Sequence, residues 1–117
     1  MKIFILEDNF ERVKCFKRWL SVKHTLHITD NVEDAKKLYE EHEPFDVYFL
    51  DHDLGGEVYV DSNEPNTGYQ FAKYLAEKKA SGKFITHSLN FSGAEAIISV
   101  LDGCVHTPFT MLYEMNK

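Results

Sequence analysis

The chain alternates between short apolar runs and longer segments in which apolar residues return every three or four positions. Residues 2–8 open with a continuous apolar run, which suits a strand buried on both faces of a sheet. Comparable runs predict four further strands, the last of them weak, at residues 25–29, 46–51, 84–86 and 104–107. The hydrophobic pattern therefore predicts five strands.

Helical spacing fills the intervals between these strands. Three segments begin with a capping pattern, in which an acidic or hydroxyl residue precedes a glutamate by three positions, in the pairs Asp8 and Glu11, Asp30 and Glu33, and Ser92 and Glu95. The predicted helices end at about Ser21, before Pro44, by Gly82 and at Gly103, and a short last helix follows Pro108. Large aromatic residues on these helices are assigned to core packing, namely Trp19, Tyr39, Tyr69 and Phe71.

Regular alternation of strands and helices predicts an α/β fold. Parallel strands need crossover helices of one hand, so the sheet is expected to be parallel, covered on both faces and ordered 2-1-3-4-5. A chain of 117 residues supplies one core, and we expect a single domain over residues 1–117 with a polar loop at about 55–67.

Charge and composition narrow the classes of function. Thirteen basic and nineteen acidic residues give a net charge of −6, which opposes broad binding along a nucleic-acid duplex. The first apolar run is too short for a signal peptide or a membrane span, and two cysteines make no disulfide framework, so a cytoplasmic protein is expected.

Polar residues follow the predicted strands at the edge where an α/β sheet binds its ligands. Because this crevice lies beyond the carboxyl ends of the strands, at the switch point between strands one and three, it should gather several acids. Crowded carboxylates raise one another's pKa, and a hard divalent cation relieves their repulsion. We therefore predict an Mg²⁺ site formed by Glu7, Asp8 and Asp51.

Two histidines flank the same predicted pocket. His52 and His87 can act as general acid and base, with Asp51 as a third catalytic residue, or they can be neutral imidazoles with a structural role. The candidate ligands for a phosphate or substrate are Asp53, Ser88 and Asn90. Structural alternatives stay open, since Asp8 suits a helix cap, while Asp53 and Asn90 suit turns.

These residues resemble a known family. The motifs Leu6-Glu7-Asp8, Phe49-Leu50-Asp51 and Thr107-Pro108-Phe109 resemble the receiver domain of response regulators, which implies a flavodoxin-like three-layer sandwich. In that family the paired acids and the aspartate after strand three bind Mg²⁺, and this aspartate accepts a phosphoryl group. Here Thr107 stands where the family has a lysine that senses the phosphoryl group.

A second resemblance is more specific. The segment 50–55, Gly68-Tyr69 and the segment 87–90 with Gly93 are similar to the cyclic-phosphate-processing receiver domains. The resemblance implies an Mg²⁺-dependent phosphoesterase that acts on cyclic phosphates, such as nucleotides or RNA 2′,3′ ends. This chain differs from that family at position 10, where it has phenylalanine in place of an arginine. The alternative is a receiver module without catalysis, or one that accepts a phosphoryl group, and that signals through a protein partner.

Overall fold

The computed structural model describes all 117 residues and contains five strands and five helices. Their bounds, in chain order, are β1 Lys2–Leu6, α1 Phe10–Leu20, β2 Thr25–Thr29, α2 Val32–His42, β3 Val47–Leu50, α3 Gly68–Glu77, β4 Lys83–Thr86, α4 Phe91–Val100, β5 Val105–His106 and α5 Phe109–Met115. The strands are all parallel and their order is β2-β1-β3-β4-β5, which confirms the predicted topology.

The sheet is covered on both faces, and β1 shows why. Successive side chains of a strand point to opposite faces, so Phe4 and Leu6 join a core cluster of 16 residues shared with α2, α3 and α4. Ile3 and Ile5 join a smaller cluster that includes residues of α1 and α5. The part of a strand that is buried on both sides must be apolar at every position, which explains the unbroken apolar run from Ile3 to Leu6 in β1.

The predicted helix caps are wrong by one or two residues. Asparagines cap the three helices, because the side-chain oxygens of Asn9, Asn31 and Asn90 accept the backbone N–H three residues further on. These bonds replace the expected caps at Asp8, Asp30 and Ser92. Each asparagine has the extended backbone that a cap requires, so Asp8 and Asp30 are left for other contacts and Ser92 lies within the first turn of α4.

Two helices end earlier than predicted. Helix α3 ends at Glu77 because Lys79 adopts a left-handed conformation, with φ of 55°, and the N–H of Ala80 bonds back to the carbonyl of Leu75. Helix α4 ends at Val100, three residues before the glycine expected to end it. No helix has the length and apolar character needed to cross a bilayer.

Candidate active site

The register of the sheet brings the polar strand ends together. Leu6 of β1 pairs with Leu50 of β3, which pairs in turn with Thr86 of β4. The residue that follows each of them therefore lies at the same edge of the sheet. These residues are Glu7, Asp51 and His87, which we call the acidic cluster.

The acidic cluster is compact and almost wholly buried. One ligand atom from each residue lies within 4.8 Å of the others, and Asp51 exposes only 3% of its surface. Nε2 of His87 lies 2.8 Å from Oε1 of Glu7, while Oε2 of Glu7 accepts the N–H of Asn9 at 3.0 Å. Oδ1 of Asp51 accepts the N–H of His52 at 2.9 Å.

Burial sets the ionisation of this cluster. It raises the pKa of Asp51 from 3.8 to about 7, and repulsion from the Glu7 carboxylate acts in the same direction. Burial also raises the pKa of Glu7, against the opposing effects of the Asn9 amide and Arg12. It lowers the pKa of His87 from 6.5 to about 4. Because Nδ1 of His87 is buried without a partner, the single proton of this neutral ring lies on Nε2 and is donated to Glu7.

These residues fit a divalent cation. Burial disfavours the ionised form of the Glu7 and Asp51 carboxylates, because the protein places too little positive charge beside them. A bound divalent cation would supply that positive charge. Their oxygens suit Mg²⁺ and Mn²⁺, whereas Nε2 of His87 is engaged in its hydrogen bond to Glu7. The donor set thus defines a divalent-cation site without selecting one metal.

Asp8, the third predicted metal ligand, is not part of the acidic cluster. Its Oδ2 accepts the N–H of Gly56 at 2.6 Å, so the carboxylate holds the loop that follows β3. Asp8 nevertheless lines the same cleft as Asp51. It therefore lies beside the candidate cation site, while its metal-binding role stays a prediction.

Arg12 is the site residue that the sequence interpretation missed. Its Nη1 lies 3.8 Å from Oε1 of Glu7 and 3.8 Å from Oδ2 of Asp51, and its side chain remains 29% exposed. The guanidinium also lies over the ring of Phe109, 5.5 Å from the ring centre. Its position in the first turn of α1, just after the strand-one acids, is the signal that could have identified it.

Asp53 and His52 form a second, hydrogen-bonded group beside the acidic cluster. Asp53 accepts hydrogen bonds from His52 Nδ1, Asn90 Nδ2 and two backbone amides, those of Tyr59 and Val60. Burial favours a raised pKa for Asp53, but these bonds prevail and hold its pKa below the ordinary value. His52 is fully buried, and its Nε2 pairs with the hydroxyl of Ser62.

The two predicted phosphate ligands on the β4–α4 connection differ in position. Asn90 lines the cleft, but its oxygen caps α4 and its amide nitrogen donates to Asp53. Ser88 is buried, and its hydroxyl bonds only the backbone of Asn90. Neither side chain has a free polar atom directed at a ligand in this conformation, and their role in binding phosphate stays a prediction.

Two glycines allow the helices to approach the strand ends this closely. A Cβ at Gly68 would lie 1.8 Å from the carbonyl oxygen of Asp51, and a Cβ at Gly93 would lie 2.3 Å from Cγ of His52. Any side chain there would displace the backbone of Asp51 or the His52 ring. The amino-terminal ends of α3 and α4 are thereby packed directly against the site.

A cleft of about 450 Å³ opens above these residues. Its polar wall contains Asp8, Arg12, Asp51, Asp53 and Asn90. Four apolar residues that also line it form what we call the apolar rim, and they are Phe10, Val58, Tyr59 and Leu89. Neither His52 nor His87 lines the cleft. His52 is bonded to Asp53, which does line it, whereas His87 is bonded to Glu7, which lies beside Asp51 and does not line it.

The fold is that of the receiver domains of response regulators. The chain resembles a CheY-like receiver domain from Methylobacillus flagellatus, with a TM-score of 0.68 and 17% identity over 98% of this chain and 94% of that one. It resembles the Mn²⁺-bound form of response regulator Rcp1, with a TM-score of 0.67 and 18% identity over 97% and 87% of the two chains. Response regulator TrrA from Thermotoga maritima, in complex with Mg²⁺-BeF, gives a TM-score of 0.64 and 18% identity over 97% and 94%.

The sequence assigns the family within this class. The profile of the family described as the cyclic-phosphate processing receiver domain matches residues 1–103, and the chain belongs to that family. No curated protein matches the sequence.

Proposed function

We propose that this chain hydrolyses a cyclic phosphate ester with the help of a divalent cation. The observation that carries the proposal is the buried acidic cluster, with Arg12 at its edge, beside a cleft of a size that suits a small ligand. Membership in the cyclic-phosphate processing receiver family supports the same substrate class. Cyclic nucleotides and RNA ends with a 2′,3′-cyclic phosphate carry the required group.

The reaction needs only water besides the ester. Water adds to phosphorus, one of the two ring P–O bonds breaks, and the proton released by the water ends on the departing oxygen. A cation held by Glu7 and Asp51 would supply positive charge for the phosphate oxygens and acidify a bound water. Arg12 would pair with the phosphoryl group, because its guanidinium already lies at the open edge of the acidic cluster.

The two buried histidines would act through carboxylates. His87 donates to Glu7 and holds that carboxylate toward Asp51, while His52 and its partner Ser62 hold Asp53 beside the cleft. Movement of protons by His52 and His87 is therefore proposed as an effect relayed through Glu7 and Asp53. Direct contact of either ring with the ester would require a rearrangement of the cleft.

Turnover of nucleoside 2′,3′-cyclic phosphates tests the proposal. We expect hydrolysis with Mg²⁺ or Mn²⁺, its loss with a chelator, and a fall of at least tenfold in kcat/KM in Arg12→Ala, since charge-assisted contacts to phosphate are strong. Arg18→Ala is the matched control, because Arg18 is an exposed arginine on the same helix away from the cleft. Absence of turnover with both metals across all four bases would refute the hydrolase.

A phosphoryl-accepting module is the second candidate, and Arg12 favours it. The guanidinium of Arg12 lies 3.8 Å from Oδ2 of Asp51 and could contact a phosphoryl group on that oxygen. Thr107 has no positive charge with which to make this contact. Incubation with acetyl phosphate and Mg²⁺, followed by intact mass measurement, should then give a stable phosphoryl adduct that Asp51→Asn abolishes. The partner of such a module would be a protein.

A further inference from the structure

The side chains of the apolar rim are exposed to solvent, although the ammonium of Lys14 lies over the ring of Phe10, 5.5 Å from its centre. Tyr59 is 77% exposed, Val58 76% and Phe10 71%, and these side chains line the same cleft as the charged residues of the polar wall. Phe10 is the first residue of α1 and Tyr59 belongs to the loop after β3, so two separate elements contribute aromatic rings.

The backbone of Tyr59 is held in an unfavourable conformation. Its φ of 55° lies in the left-handed region, which costs a residue with a side chain about 1 kcal/mol or more. The conformation is fixed from the site itself, because the N–H of Tyr59 donates to Oδ2 of Asp53 at 2.6 Å. This hydrogen bond offsets part of the cost and keeps the ring exposed at the cleft.

We propose that the apolar rim binds the base of a nucleotide whose phosphate lies against Arg12 and Asp51, the member of the acidic cluster that lines the cleft. The cleft of about 450 Å³ is lined by both charged and aromatic side chains, and a mononucleotide likewise combines a charged phosphate with a flat base. Stacking on aromatic rings accepts every base. This inference rests on the proposed function for the phosphate end, and it narrows the substrate from cyclic phosphates in general to those that carry a base.

Calorimetric titration with adenosine 5′-monophosphate, ribose 5-phosphate and adenosine, in the presence of Mg²⁺, tests the proposal. We expect the nucleotide to bind about tenfold more tightly than ribose 5-phosphate, as one stacked base allows. Tyr59→Ala and Phe10→Ala should remove most of that difference, while Tyr59→Phe keeps it. Phe91→Ala is the matched control, because Phe91 also begins a helix after an asparagine cap, is 64% exposed, and does not line the cleft.

Several results would overturn the inference. They are equal affinity for nucleotide and ribose 5-phosphate, no binding of any of the three ligands, or rim variants that bind the nucleotide as the unmodified chain does. A different result would refute the proposed function alone. In that case nucleoside 2′,3′-cyclic phosphates are not hydrolysed, yet affinity still depends on the base and is still lost in Tyr59→Ala. Circular dichroism of each rim variant verifies its fold, and these exposed side chains leave the core intact.

Discussion

Replacement of Asp51 by asparagine should stabilise the metal-free protein. Asp51 is 3% exposed, and its pKa is raised from 3.8 to about 7, so its ionised form opposes folding at neutral pH. Asparagine keeps the size of the side chain and an oxygen to accept the N–H of His52, but it removes the buried negative charge. The substitution therefore isolates the electrostatic cost of the site.

The expected magnitude follows from that pKa. Each tenfold change in proton affinity is worth about 1.4 kcal/mol, so the rise to about 7 corresponds to a cost on the order of 4 kcal/mol above pH 7. Half of that value would raise the melting temperature of a chain of this length by about 8 °C. Below pH 3.8 the carboxyl is protonated in both folded and unfolded chains, and the advantage of Asp51→Asn should vanish.

Thermal unfolding in a chelator at pH 4, 6 and 8 measures this effect. The difference between Asp51→Asn and the unmodified protein should be small at pH 4, grow as pH rises through the window from 3.8 to about 7, and reach its maximum at pH 8. Asp102→Asn is the control, since Asp102 is exposed on another part of the surface. A lower melting temperature for Asp51→Asn at pH 8 would refute the reasoning.

Three further predictions concern the cation site, the close packing and the caps. Added Mn²⁺ should raise the melting temperature more at pH 8 than at pH 5, because protons compete for the carboxylates of the acidic cluster, and equal shifts at both values would contradict this. Gly93→Ala should lower the free energy of unfolding by about 3 kcal/mol or more through its clash with His52, whereas exposed Ser92→Ala should change it little, as urea titration can measure. Asn9→Ala should lose about 1 kcal/mol of stability as a cap, whereas a similar loss in the control Glu11→Ala would point to helix propensity instead.

Much of the fold could be predicted because the hydrophobic period differs between strands and helices. The run at Thr25–Thr29 and the helix ending before Pro44 agree with the structure, since local spacing and a proline determine both. The caps could not be assigned by pattern alone. Asp8 and Asn9 are adjacent, and each has a backbone N–H three residues further on that it could accept. Asn9 caps the helix because the carboxylate of Asp8 instead accepts the N–H of Gly56, a residue far away in sequence.

The candidate site was predictable as a set of strand ends and unpredictable in its side-chain directions. The rule that ligands bind beyond the carboxyl ends of strands identified Glu7 and Asp51, which do lie together. Arg12 comes from the first turn of a helix, and only the packing of α1 against the sheet brings its guanidinium to the acids. The exposed position of Tyr59 depends on the hydrogen bond from its N–H to Asp53 across a loop. The local pattern of hydrophobic and polar residues carries no information about such a bond.

The loop after β3 is held to the site through its backbone, which leaves its side chains free to differ. Between Asp53 and Thr67 the chain forms one isolated bridge, and side chains of the site hold the segment 56–60 by its backbone amides. Amide contacts do not depend on which side chains the segment carries. Residues other than proline at 57–60, with one that tolerates the left-handed backbone at 59, should therefore keep these contacts and retune ligand preference while the sheet and its carboxylates stay in place.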